Sequence, residues 1–310
     1  MTATGAGAFL TAWTPWPPGL VLLVLTVAPY LLWWRRALAR GAAWSPWRAA
    51  LYLALGTGTL AYAVCGPLQV LRAETYWVAA LQVGVLSCVT PVGLALGDPL
   101  GLRALARGRD EVALPRGVVG VALRVLMFPA VSSLLAVGSV TVVFFTPYLV
   151  ASTRSLVVEA ALVVHLVGTG LLFVLPLLVP ALLPAWATPG VRALLAFVDG
   201  LFDAVPGIAL LSTSGLLVPT FPGFAAHGGD LLLEQHLGGG ALLAVSEVVG
   251  LPVLAAVLLE WVRADRAEAR AADAAEDAVD QIADRSDDPP GLWWETDPRF
   301  AGRWAPRDRG

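Results

Sequence analysis

Long apolar runs alternate with short polar breaks along this chain. Seven stretches approach the roughly 20 residues needed to cross a hydrocarbon core. They fall near 16–34, 49–66, 76–96, 130–147, 156–180, 193–213 and 241–261. The pattern predicts an all-α integral membrane protein, a bundle of seven transmembrane helices. Between Arg116 and Phe128 lies "RGVVGVALRVLMF", which is apolar but short, carries Arg124 and stops at Pro129. It reads as an interfacial helix leading into the fourth span; joined to that span, it would make one long tilted helix. From Ala264 on, a polar, Ala-rich run extends the last helix until Pro289 and Pro290 end it. Two parts follow: a transmembrane domain over 1–262, and over 263–310 a cytoplasmic helical extension with a flexible, Trp-rich tail. The Ser214–Gly240 connection, rich in Gly and Pro, reads as an irregular outer loop.

Composition agrees with the spans. The chain is 57% hydrophobic and only 14% charged, where a soluble domain has about a quarter of its residues charged. The lipid bilayer is thus its first partner. The net charge of −3 says less than where the charges stand. Every basic residue is an arginine, and they cluster in alternate connections: Arg35, Arg36, Arg40 and Arg48; then Arg103, Arg107, Arg109 and Arg116; then Arg192; then Arg263, Arg266 and Arg270. The connections between hold only Arg72, only Arg154, and none between Ser214 and Gly240. The positive-inside rule therefore predicts an outside N-terminus and a cytoplasmic C-terminus in a bacterial plasma membrane. Trp13, Trp16, Trp33, Trp34, Trp44, Trp47, Trp77 and Trp261 flank spans as interfacial anchors. No charge precedes Arg35, so the first run lacks a signal peptide's basic start and reads as a retained helix.

Soluble chemistries find no footing. There is no Gly-rich phosphate loop and no GxSxG, and the loop arginines give nucleic-acid binding no support. Cys65 and Cys88 lack CxxC spacing and read as small buried hydrophobes. The informative residues are ionisable groups inside the spans: Glu159 and His165 on the fifth, Asp199 and Asp203 on the sixth, Glu247 on the seventh. At about 1.5 Å per residue, His165 and Asp203 lie roughly 15 Å from the outer ends of their helices, and Glu247 roughly 10 Å. Asp199 and Asp203 are four apart and share a face. Pro206 would loosen the helix beside Asp203, and Gly168 and Gly170 would admit close helix approach. Two readings remain open: a polar pocket for a metal ion, proton or small ligand, or polar bonds that merely fix helix packing. His165, Asp203 and Glu247 are the candidate metal ligands, with Glu159, Asp199 and Gln82 as a second ring. His227 and His236 in the outer loop could complete a set.

The order of these features resembles the polytopic CtaG-type cytochrome c oxidase assembly proteins, over roughly residues 45 to 265. In "LQVGVLSCVTPVGLALGDPL", Gln82, Pro91, Gly97 and Pro99 match the family's third-span pattern. "FFTPYL" resembles its aromatic-Thr-Pro exit, and His165, Gly170 and "LLFVLP" its His-to-Gly-to-Phe-to-Pro pattern. "LFDAVPGIALLS" is similar to its Pro-Phe-His-Ala stretch, and "EQHLGGG" with Glu247 to its acidic and glycine series. The family's paired histidines on span three fall on Ala79 and Val83, and its histidine on span six falls on Asp203. The resemblance implies a non-enzymatic role in haem-copper oxidase biogenesis, with copper as the implied cofactor and oxidase subunits as partners. The alternatives are a proton- or cation-coupled small-solute transporter and a non-catalytic accessory subunit of a respiratory complex.

Overall fold

The computed structural model describes residues 7–109, 111, 112, 114, 115, 117–179, 182, 183, 188–227, 230–284 and 299. Every regular element among them is helical. The long helices are α1 (Pro17–Ala39), α2 (Pro46–Leu71), α3 (Tyr76–Leu105), α4 (Val118–Leu126), α5 (Pro129–Phe145), α6 (Leu156–Leu178), α7 (Pro189–Ser212) and α8 (Leu231–Asp284). Six of these are long and apolar enough to cross a membrane; α4 and α5, bent by 72° at their junction, add a seventh only if counted together. The bend falls before Pro129, whose missing N–H and fixed φ suit the first position of a new helix. Prolines likewise open α1, α2 and α7. Pro206 does not break its helix, for α7 runs through it to Ser212. Contacts divide the chain into two compact units, Met1–Leu258 and Leu259–Gly310. In the second unit the described helical residues are almost all exposed; acids and arginines mix as far as Arg270, and the charged residues from Asp273 to Asp284 are all acids. The Trp-rich tail lies outside the described residues, apart from Arg299.

Close backbone contact organises the first unit. Both α2 and α3 carry a π-helical stretch, at Tyr52–Thr57 and Val85–Val89, which shifts the side-chain register locally. Where they cross, Gly56 lies against the Gly93–Leu94 backbone, and a Cβ on Gly56 would sit 2.8 Å from the Leu94 nitrogen. Thr59 and Thr90 join their hydroxyls across the same seam at 2.9 Å. α6 packs on α3 and α5. Its Gly170 abuts Pro91 and the Ser87 carbonyl, whereas a Cβ on Gly168 would meet nothing within 4 Å. Of the two glycines expected to admit a neighbour, only Gly170 does so.

Aromatic residues with polar tips fix the start of this bundle. Tyr30 is fully buried and stacks on Tyr52 with ring centroids 3.8 Å apart. Its hydroxyl donates to the Gly97 carbonyl at 3.0 Å and accepts from Trp44 Nε1 at 3.2 Å. Tyr30→Phe leaves both groups without that partner, so unfolding free energy is expected to fall by about 1–3 kcal/mol. Thermal melts of the detergent-solubilised protein would measure it, and an unchanged melt would show that the bonds add nothing net.

The Ser214–Gly240 stretch is more ordered than its composition predicts. A short helix occupies Pro222–His227, and α8 begins at Leu231, so the Gly238–Gly240 run is helical rather than loop. The glycines serve contact here. A Cβ on Gly238 would stand 2.9 Å from the Tyr76 ring. One on Gly239 would stand 2.7 Å from the Gly207 carbonyl oxygen, and one on Gly207 would stand 3.0 Å from that of Gly239.

Candidate functional site

Two groups of polar side chains form inside the first unit. The first centres on Arg72, which follows the end of α2 and has a side chain only 3% exposed. Its Nη1 pairs with Glu159 Oε1 on α6, and its Nη2 donates to Ser152 Oγ at 2.6 Å. Gln69 Nε2 donates to the same Glu159 oxygen at 2.7 Å. Gln82 Nε2 donates to the Ala63 carbonyl at 2.7 Å and to Gln69 Oε1 at 3.1 Å. Glu159 and Gln82, both predicted as second-ring residues, thus meet through Gln69. Burial pulls the Arg72 guanidinium below its ordinary range and the Glu159 carboxylate opposes that shift. A guanidinium starts so high that it stays charged. Each buried charge here has a counter-charge and hydrogen bonds, which is how buried ions are tolerated, although Arg72 Nε itself has no partner among the described residues.

The second group surrounds a cavity of about 70 Å³ between α3, α5, α6, α7 and α8. A water needs roughly 10–15 Å³ measured this way, so several fit. The wall is mostly apolar, but Ser87, Cys88, Thr169, Asp203 and Ser246 bring polar groups to it. Asp203 is half-buried and supplies the cavity's carboxylate. On the opposite side of α7, Leu201, Phe202, Val205 and Ile208 are exposed. The helix therefore turns its acid inward and its hydrocarbon outward.

The three predicted metal ligands do not share this wall. Asp203 lines it. His165 lies one turn before Thr169, whose hydroxyl donates to the His165 carbonyl at 2.9 Å, and its ring stacks on Tyr148 with centroids 5.9 Å apart. Glu247 is exposed, and its neighbour Ser246 faces the cavity instead. His236 Nε2 lies 3.1 Å from the Thr213 carbonyl oxygen. The side chains of Asp199 and His227 lie outside the described residues. Among the described residues, no three His, Cys, Asp or Glu side chains are placed to hold a metal ion. Copper wants about three or four soft or imidazole donors, and one thiol beside one carboxylate does not supply them.

Beside His236, two further residues of the "EQH" stretch bond to the backbone. Glu234 Oε2 accepts from the Tyr76 N–H at 3.1 Å, at the start of α3. Gln235 is fully buried; it accepts from the Leu217 N–H at 2.7 Å and donates to the Gly215 carbonyl at 3.1 Å. Sequence reasoning missed Gln69, Arg72 and Ser152 in the ion-pair group, and Ser87, Thr169 and Ser246 around Asp203. Arg72 carried a signal, as a basic residue in a connection expected to hold few.

Comparison with known proteins gives this arrangement a context. The family described as cytochrome c oxidase caa3 assembly factor matches residues 28–264. Two curated relatives are the uncharacterized protein Mb0105 of Mycobacterium bovis (strain ATCC BAA-935 / AF2122/97) and the uncharacterized protein MT0111 of Mycobacterium tuberculosis (strain CDC 1551 / Oshkosh). Each is 29% identical over 277 residues, covering 80% of this chain and 38% of the relative. The chain thus spans well under half the length of the curated relatives it matches. No solved structure matches it. The matched stretch contains α2 through α7 and both polar groups, and on that match the chain belongs to the cytochrome c oxidase caa3 assembly factor family.

Proposed function

We propose that this chain is a seven-span protein of the bacterial plasma membrane that assists biogenesis of a haem-copper oxidase by docking, without catalytic turnover. Its N-terminus faces outside and its C-terminus the cytoplasm, following the arginine pattern. The family match across residues 28–264 carries this reading. The donor set around Asp203 does not fit copper, so no copper step enters the proposal. The exposed apolar face of α7, with Phe197, Leu201, Phe202, Val205 and Ile208, is available to lipid or to an oxidase helix. Deleting the gene should lower the amount of assembled oxidase, read from its haem spectrum and oxygen consumption, and re-expressing this chain should restore it. Unchanged oxidase in the deletion strain would overturn the proposal.

The cavity itself favours a second reading, a proton- or cation-coupled transporter. One carboxylate among hydroxyls in a water-sized chamber is a suitable place for a coupling ion. Asp203→Asn separates the two. In a docking factor it leaves vesicle uptake of solutes unaffected and lowers oxidase yield at most several-fold. In a transporter it abolishes ion-driven uptake. Glu247→Gln, on the exposed side of α8, is expected to leave oxidase yield unchanged, as the same oxidase measurements would show.

A further inference from the structure

At the arginine-rich end of α3, the third connection does more than set orientation. Arg103, Arg107 and Arg109 converge on one hollow of about 30 Å³, where Glu111 is the one acid in the described lining. Three guanidiniums beside one carboxylate leave a net positive hollow, and like charges held together cost energy unless an anion joins them. Arg103 Nε is buried and has no hydrogen-bond partner among the described residues. A buried donor left unmade is costly, so this N–H points to a group that can accept. The Arg103 guanidinium lies over the Trp33 ring, 5.9 Å from its centroid, which holds it in place at the aromatic belt.

A second observation says what kind of anion belongs there. Beside the hollow lies a crevice of about 470 Å³ whose wall includes Trp47, Leu51, Leu96, Leu178 and Val179. Val112 lines both spaces. Arg48 and Asp98 also border the crevice, where they pair with each other at 2.9 Å and leave no net charge on its wall. A cationic hollow that shares a wall residue with a mostly apolar crevice, at the end of a membrane span, matches a phosphate head on a hydrocarbon tail. We propose that this junction binds an anionic phospholipid, its phosphate oxygens among Arg103, Arg107 and Arg109 and an acyl chain along the crevice. Guanidinium forks suit phosphate oxygens well.

The test uses the full chain, purified in detergent and titrated with phosphatidylglycerol, phosphatidylcholine or inorganic phosphate, with bound lipid read by native mass spectrometry. Wild-type protein should retain phosphatidylglycerol in preference to phosphatidylcholine. Arg107→Gln with Arg109→Gln, both exposed residues, should weaken phosphatidylglycerol by about tenfold or more, while Arg35→Gln with Arg36→Gln should not. Trp47→Ala, which alters the crevice alone, should weaken both lipids without abolishing the preference. Equal retention of the two lipids, or a preference unchanged in the Arg107/Arg109 variant, would overturn the site. Inorganic phosphate that saturates the hollow and displaces no lipid would reassign it to a soluble phosphate and end the lipid proposal.

Discussion

Glu159→Ala is expected to destabilise this protein by about 3–5 kcal/mol, the cost of breaking a buried ion pair from one side. The change leaves Arg72, with its side chain only 3% exposed, as a buried cation without its carboxylate. It also removes the acceptor of Gln69 Nε2. Glu159→Gln keeps an acceptor oxygen but not the charge, so it should fall between the parent protein and the alanine variant. Removing both charges together, with Arg72→Met and Glu159→Met, should recover much of the loss, because no orphaned ion remains. Monodispersity and melting temperature in detergent give the measurement. If Glu159→Ala melts like the parent protein, the network does not hold α6 to the Arg72 segment.

The next largest loss is expected from Gly93→Ala. A Cβ at Gly93 would overlap the backbone of Leu55 and Gly56, and a backbone cannot rotate aside as a side chain can. α2 and α3 must separate, stretching the Thr59–Thr90 bond across their seam. Overpacking costs about 1–3 kcal/mol, and a backbone-to-backbone clash belongs at the upper end or beyond. Gly168→Ala is the control, since a Cβ there meets nothing within 4 Å. On an open helix face alanine is better than glycine by about 0.5–1 kcal/mol. The two variants should therefore shift the melting temperature in opposite directions, and equal shifts would refute the argument from contact.

Six of the spans were legible because crossing a bilayer is a matter of apolar length, which one dimension records; the fourth, α5, reaches that length only together with α4. The break before Pro129 was legible for a similar reason, because proline chemistry is local. Rotation about the helix axis was not. Glu247 was placed by its depth alone, yet its exposure and the inward turn of Ser246 differ by one residue, or about 100°. Arg72 looked like a topology signal because its partners Glu159 and Ser152 lie eighty or more positions away. Glycine was ambiguous in the same way. Gly238–Gly240 carry the composition of a turn and the task of a contact, and only Tyr76 and Gly207 on the facing elements decide between them.

The meeting of Gly207 and Gly239 has a mechanical consequence. Main chain meets main chain there, and the Leu210 and Leu243 β-carbons close on the same spot, so the two helices have no slack where they cross. The same pair carries Asp203 and Ser246 to the cavity wall, so the spacing of those two groups is set by a backbone contact rather than by side chains that can turn aside.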